Sequence, residues 1–424
     1  MPALGALVAE PLYVLADTAV VGHLGTPELG GLAVATSVIL TGYAVFIFLA
    51  YGTTAAVSRL LGAGDERAAA GQAVQSLWLA AGIGAVLAAA GFVAAPALVD
   101  ALGADGAVRG HALLYLRVSL PGVPALLLTL AGVGYLRGLQ DTRTPLAVAA
   151  ASAAGNLVLE LVLIYGLGYG IGASALATVV AQWGAAAVYV VRIAAAVRRL
   201  DVGLRPDGRA IARLAAVGGA LLVRTAALRA SLTVATAVAT RLGPTDVAAH
   251  AIAFELWNLL ALVLDAVAIA GQAITGRLLG AGAVAEARAA GRRMIEWGVM
   301  SGVVLGAAVV ALRPLLPGVF TDDPAVTALA GFLLWWVAAM QPVNGVVFVL
   351  DGILIGAGDL RFLAVAMLGA AALFVPAALA VATAGAGIGW LWAALGLLML
   401  ARLAVLGARF ATPAWSVPGA VRAA

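Results

Sequence analysis

The sequence contains no cysteine and no lysine, and only 10% of its 424 residues are charged. Without cysteine there can be no disulfide, thiol nucleophile or cysteine metal site. The three histidines, His23, His111 and His250, do not have the spacing of metal ligands, so we expect neither a metal centre nor a cofactor. So few charges also exclude an ordinary soluble protein, in which about a quarter of the residues are charged.

Long apolar runs dominate what is present. Hydrophobic residues make up 64% of the chain, and the mean hydropathy is +1.09. Runs of roughly 20–30 apolar residues alternate with short arginine-bearing connectors, which is typical of membrane-spanning helices and unlike the alternating strands of a membrane barrel. The pattern predicts an all-α polytopic membrane protein with twelve transmembrane helices. We place these spans near residues 1–22, 29–58, 73–99, 112–136, 145–166, 170–193, 212–240, 247–276, 294–317, 326–357, 362–383 and 387–410.

The arginines are distributed unevenly between the two sets of connectors. Most of the 24 arginines fall in one set, whereas the opposite set holds only Arg109, Arg117, Arg241 and Arg313. Because basic residues concentrate in cytoplasmic connectors, both termini are predicted to be cytoplasmic, in the cytoplasmic (inner) membrane of a prokaryote. The positive net charge then reflects topology, and no nucleic-acid partner is expected.

The two halves of the chain repeat each other. RLLGAG at 59–64 recurs at 277–282, GLQDTR at 138–143 matches GAGDLR at 356–361, and Pro124 pairs with Pro342, all at a shift of 218 residues. The predicted organisation is therefore an N-terminal six-helix lobe, a basic cytoplasmic linker and a C-terminal six-helix lobe, at 1–193, 194–211 and 212–424. Parallel repeats of this kind are typical of secondary transporters with a cavity between the halves. A structural duplication without transport is the alternative.

Several charged side chains interrupt the apolar runs. A charged group at the bilayer centre costs about 2.5–3.5 kcal/mol on insertion scales, so such groups usually face a wet cavity or a partner. The stretch LYVLADTAVVGHLG carries Asp17, and Asn156 and Glu160 share one helix face farther along the chain. A rise of about 1.5 Å per residue places Asp17 and Glu160 roughly 9 Å, Thr178 roughly 12 Å and Asn156 roughly 15 Å below the outer boundary.

This polar layer has two possible uses and one structural alternative. Two neighbouring carboxyls cannot both stay ionised at low dielectric, so one of them would hold a proton. Alternatively, their oxygens together with those of Asn156 and Thr178 would bind Na⁺. The structural alternative is that Asp17 and Glu160 only cap or pair. The shift of 218 places Ala235 opposite Asp17, which indicates a role specific to the first half.

Other polar residues within the spans are secondary cavity candidates. Asn344 and Asp351 share one helix face, and Arg224 is a possible structural partner for one of the acids. Glu10 lies on the same face as Asp17 and would continue a wet path inward. The full secondary set is Glu10, Arg224, Glu255, Asp265, Asn344 and Asp351.

These stretches resemble the multidrug and toxic compound extrusion (MATE) transporters, specifically the DinF-like branch. The resemblance is carried by EPLYVLADTAVVGHLG, RLLGAGDERAAAG, LRGLQDTRTPLAVAAASAAGNLVLE, LGPTDVAAHAIAFELW, LDAVAIAGQAITGRLLGAG and LDGILIGAGD, and it covers essentially the whole chain. It implies two six-helix lobes forming a V around a cavity. It also implies cation-coupled export of small amphipathic, usually cationic, compounds by a monomer in the lipid bilayer.

The resemblance also implies roles for individual residues. Asp17 matches the cation-coupling aspartate of helix 1, accompanied by Asn156, Glu160 and Thr178, and Pro2 falls where the family has a proline linked to bending of that helix. No acid lies near 224–240, where a sodium-coupled branch has one. We therefore favour H⁺ over Na⁺ as the coupling ion.

Three other functions were weighed against transport of this kind. A flippase for lipid-linked precursors, in the same superfamily, would need a larger cationic groove than Arg224 and Arg229 provide. A membrane prenyltransferase-type enzyme would need paired acidic metal motifs, whereas Asp322-Asp323 stands alone in an outer loop, so no enzymatic activity is expected. A passive channel would need a ring resembling a selectivity filter.

Overall fold

A computed structural model describes residues 2–421 of the chain. Within this range, the side chains at 2–3, 8–13, 15–16, 40–41 and 43–45 are outside the described set. Two residues singled out from the sequence, Pro2 and Glu10, are therefore outside the described side chains.

The described residues form α-helices joined by short turns, and they contain no strand. The first eight helices are α1 (Pro2–Gly22), α2 (Thr26–Val45), α3 (Phe48–Gly62), α4 (Glu66–Ala101), α5 (Gly106–Ser119), α6 (Val123–Gly138), α7 (Arg143–Leu161) and α8 (Ile171–Leu200). The next six are α9 (Gly208–Leu242), α10 (Pro244–Gly280), α11 (Val284–Leu312), α12 (Pro324–Gly356), α13 (Leu360–Thr383) and α14 (Ile388–Ala411). A π-helical turn, Val162–Gly166, extends α7, and a short 3₁₀ turn containing Pro121 joins α5 to α6.

The helix lengths confirm a polytopic all-α membrane fold. Within the described residues, 10 helical segments are long and apolar enough to cross a bilayer. They correspond to the third to twelfth predicted spans, with α5 and α6 together forming one of them. The first two predicted spans coincide with α1 and with α2 plus α3, which contain the side chains left undescribed.

The chain divides into two compact units, residues 1–218 and 219–424. The same backbone features recur in each unit at the repeat distance. Gly64 and Gly282, 218 residues apart, end the turns after α3 and α10 with φ of 79° and 75°. After α6 and α12, the equivalent residues Gln140 and Gly358 also have positive φ, 62° and 70°. The repeat read from the sequence is therefore a repeat of backbone conformation.

Close helix packing through glycine is repeated as well. A Cβ on Gly134 of α6 would lie 2.6 Å from the carbonyl oxygen of Ala50 on α3. In the second unit, the equivalent Gly352 of α12 faces the carbonyl oxygen of Ala268 on α10, at 2.2 Å from such a Cβ. Small residues let helix backbones approach closely inside lipid, where packing rather than the hydrophobic effect holds helices together. Each unit is therefore built around one glycine-rich helix.

Polar connectors fix the ends of several helices. Asp65 accepts a hydrogen bond from the Ala68 backbone N–H at 2.8 Å and so caps α4. In the connector before α7, burial disfavours the charged form of Asp141, but hydrogen bonds from Thr144 and Arg143 and the charge of Arg192 outweigh it. The pKa of Asp141 is consequently lowered from its ordinary value.

The packing of α11 against α12 generates a stability prediction. A Cβ on Gly345 would lie 2.0 Å from the carbonyl oxygen of Gly298. We expect Gly345→Ala to destabilise the protein by about 1–3 kcal/mol, the usual cost of overpacking, measured as thermal unfolding in detergent. The control is Gly369→Ala on α13, where nothing lies within 4 Å of an added Cβ and higher helix propensity should leave stability unchanged or raised. Equal behaviour of the two variants would contradict this account.

Candidate functional site

The candidate site begins with Asp17, near the end of α1. Its side chain is buried, with 5% relative exposure. The Ser174 hydroxyl on α8 donates a hydrogen bond to Asp17 Oδ1 at 2.6 Å. The Tyr115 hydroxyl on α5 donates to Asp17 Oδ2 at 3.3 Å. Two neutral hydroxyls therefore hold this carboxyl inside the first unit.

Glu160, on α7, lies beside this group and is completely buried. The Asp17 carboxyl and the Ser174 hydroxyl are close enough to interact with the Glu160 carboxyl. Within the part of the chain that the structure describes, neither carboxyl oxygen of Glu160 accepts a hydrogen bond, since Ser174 donates to Asp17 instead. The structure thus brings the two acids together with unequal hydrogen bonding.

Asn156 and Thr178 lie one helical turn away from the acid pair. Asn156 precedes Glu160 by four residues on α7, and Thr178 follows Ser174 by four on α8. Because α7 and α8 are consecutive helices running in opposite directions, both residues lie on the same side of the pair. Thr178 donates a hydrogen bond to the Ser174 carbonyl at 3.1 Å. Asn156 Oδ1 is buried without a donor among the described residues.

The surroundings of the acid pair are apolar. Buried side chains packed around this end of the unit include Val20, Val21 and Ile171. Among the described residues, no arginine or histidine makes an ion pair with Asp17 or Glu160. A buried carboxylate without a counter-charge is costly, so the pair favours binding either a proton or a metal cation.

A second charged cluster lies in the second unit. Arg224 on α9 donates to Asp351 Oδ2 on α12 at 2.5 Å, and Arg402 on α14 donates to the same oxygen. Arg224 is therefore a partner of Asp351, as the structural alternative in the sequence had it, but it shares that acid with another arginine.

The remaining secondary candidates do not join this cluster in any printed contact of the second unit. Glu255 is exposed, and Asp265 is half-buried. Asn344 on α12 is fully buried. Neither of its side-chain polar atoms has a hydrogen-bond partner among the described residues.

Sequence reasoning did not single out Ser174, Tyr115 or Arg402. Serine and tyrosine are unremarkable within a membrane span, and Arg402 was counted among the arginines that set topology. The repeat carries a signal for all three, because their equivalents in the other half are apolar: Leu391 for Ser174, Leu333 for Tyr115 and Ala185 for Arg402. Positions at which one repeat is polar and the other is not mark the site.

Comparison with known proteins gives consistent matches along the chain. A model of the MatE family matches residues 2–163 and 221–398. The chain is 33% identical to "Protein DETOXIFICATION 44, chloroplastic" of Arabidopsis thaliana, over 99% of this chain and 83% of that protein. It is 30% identical to "DNA damage-inducible protein F" of Escherichia coli (strain K12), over 84% and 79%. A crystal structure of MATE in the bent conformation superposes with a TM-score of 0.87 at 22% identity, over 97% and 95% of the two chains.

The hydroxyls around Asp17 generate a prediction about stability. Tyr115→Phe keeps the ring but removes the donor to Asp17, so we expect destabilisation of about 1.5–3 kcal/mol, typical of a hydrogen bond to a charged group. A smaller effect would indicate that Asp17 is neutral. Thermal unfolding in detergent provides the measurement.

The matched control for this prediction is Tyr169→Phe, which removes an exposed hydroxyl and should leave stability unchanged. Ser174→Ala should destabilise more than Tyr115→Phe, because its hydrogen bond is shorter. The reverse order would contradict the described geometry.

Proposed function

Because the chain belongs to the MATE family of transporters, we propose that it exports small amphipathic organic compounds in exchange for protons. The observation that carries the coupling proposal is the adjacent burial of Asp17 and Glu160 without a basic partner among the described residues. Asp17, Glu160, Asn156 and Thr178 form the proposed cation-coupling site.

The unequal hydrogen bonding of the pair supports proton coupling. Asp17 receives two hydroxyl donors, which suit an ionised carboxylate. Glu160 receives none from the described residues, which suits a protonated carboxyl. A pair in which one member keeps its charge and the other holds a proton avoids two adjacent negative charges at low dielectric. Proton binding and release at Glu160, beside the anchored Asp17, is the proposed coupling step.

The driving force follows from the membrane. One charge crossing 100 mV releases about 2.3 kcal/mol, to which a pH gradient adds. Protonation lowers the cost of closing the apolar shell around the pair, whereas the ionised pair favours contact with water. A change in occupancy therefore shifts the equilibrium between states open to opposite sides of the membrane. Substrate would be released outward as protons enter.

Sodium is the second candidate for the coupling ion. Asn156 Oδ1 is a buried acceptor without a described donor, and it lies one turn from Glu160. Together with carboxyl and hydroxyl oxygens it offers the ligand type that hard cations prefer. We favour H⁺ because the second half lacks the helix 7 acid and because Glu160 accepts no described hydrogen bond.

The substrate, assembly and membrane are also part of the proposal. The acidic pair would attract cationic groups, so amphipathic cations are the first substrates to test. A single chain is the proposed unit, since both repeats belong to one polypeptide. The arginine distribution supports cytoplasmic termini in the cytoplasmic membrane of a prokaryote, although one relative is named as chloroplastic and another comes from Escherichia coli.

Transport in proteoliposomes tests the proposal. Vesicles would hold a fluorescent amphipathic cation, and an imposed pH gradient should drive its movement through the wild-type protein. We expect Asp17→Asn and Glu160→Gln each to lower this flux at least about tenfold, because the neutral side chain no longer cycles a cation. Asp105→Asn and Glu66→Gln, which neutralise exposed acids, should transport normally.

Different outcomes separate the parts of the proposal. Flux driven by a sodium gradient but not by a pH gradient would replace H⁺ with Na⁺. Gradient-driven flux that survives in both Asp17→Asn and Glu160→Gln would remove the coupling site. Absence of flux for every cation in a chemically varied panel would remove the proposed substrate class.

A further inference from the structure

The second unit contains a charged cluster that the proposed proton site does not use. Arg224, Asp351 and Arg402 come from three different helices, and both guanidinium groups donate to the same oxygen, Asp351 Oδ2. Their side chains are 12%, 8% and 6% exposed, so the cluster is buried without being sealed.

The charges within this arginine cluster do not balance. Its three side chains carry two positive charges and one negative charge. A buried ion pair needs one cation for one anion, and an additional buried charge is expensive unless it is compensated. One arginine would suffice to neutralise Asp351, so the second is not explained by pairing with that acid.

The hydrogen bonds of Arg402 indicate the same excess. A guanidinium group has five N–H donors. Among the described residues, Arg402 donates to Asp351 Oδ2 and, at 3.5 Å, to the Met399 sulfur, which is a weak acceptor. Arg402 is 5% exposed, so most of its donor capacity lies buried without an oxygen acceptor. Such an arrangement suits a ligand that brings acceptor oxygens and negative charge.

We propose that the arginine cluster is a binding site for an oxyanion group, such as a carboxylate or phosphate. One bound monoanionic group would balance the two arginines and Asp351 at two charges of each sign. Planar guanidinium groups match carboxylate and phosphate oxygens in bidentate geometry. In the unliganded site, Asp351 holds both guanidinium groups in place and competes with the ligand.

The inference goes beyond the proposed export of cations and stands independently of it. It adds anionic and zwitterionic compounds to the molecules that the chain would recognise. The repeat also singles out this location, because the residues equivalent to Arg224 and Asp351 in the first half are Ala6 and Val133. No charged cluster is encoded at the corresponding place.

Binding to the detergent-purified protein tests the inference without transport. The probes are sodium benzoate, sodium phosphate and short-chain phosphatidylglycerol, each compared with sodium chloride at equal sodium concentration and ionic strength. We expect at least one oxyanion to raise the melting temperature saturably, while chloride does not. Benzoate or phosphate would identify a soluble ligand, and phosphatidylglycerol alone would identify a lipid headgroup.

Two variants separate binding from structure. Arg402→Gln leaves the Arg224–Asp351 pair, and Arg224→Gln leaves the Arg402–Asp351 pair, so each should fold with a balanced pair. Each should weaken oxyanion binding about tenfold or more, because one charged hydrogen-bonding partner is lost. Arg361→Gln, which removes an exposed arginine at the start of α13, is the control and should bind as the wild type does.

Several results would overturn the proposal. These are an absence of response to all oxyanions, an equal response to chloride, or unchanged oxyanion affinity in both variants. If neither variant folds, both arginines are required by the structure, and neither is available for a ligand. Proton-driven flux in proteoliposomes is measured separately, so loss of the oxyanion site and loss of the coupling site give different patterns.

Discussion

Close approach of helix backbones is the constraint on which each unit depends. Lipid tails are as apolar as leucine, so helices in a bilayer associate through packing and hydrogen bonding. Here glycines on α6 and α12 lie against backbone carbonyls of α3 and α10 at equivalent positions of the two repeats. Side chains brought in by the neighbouring helices are thereby held in fixed places. The charged groups discussed above can be buried only because this packing positions their partners.

The two repeats use that shared framework for opposite charges. The first unit buries two acids with hydroxyl donors and no described basic partner. The second unit buries two arginines around one acid. At each equivalent position the other repeat has an apolar residue, with Ala235 for Asp17 and Val133 for Asp351. Duplication supplied the backbone, and divergence placed an acidic group in one copy and a basic group in the other.

This asymmetry bears on how a transporter of this family would work. An acid pair that changes its cation occupancy supplies coupling to a gradient, and a positively charged cluster supplies a place for negative charge. Keeping the two functions in separate units avoids direct neutralisation of the acids by the arginines. The proposed export and the proposed oxyanion site therefore make separate demands on the structure.

The sequence by itself determined the helical membrane class, the six-plus-six repeat and the identity of the buried acids. These properties depend on the length of apolar runs, on constant spacing and on residues that share one helix face, all of which are local. Only the tertiary structure decided that Ser174 and Tyr115 hold Asp17, that Glu160 adjoins it, and that Arg402 joins Arg224 at Asp351. Those contacts join helices distant in the chain, and helical periodicity gives the face of a residue but not the neighbour that the face meets.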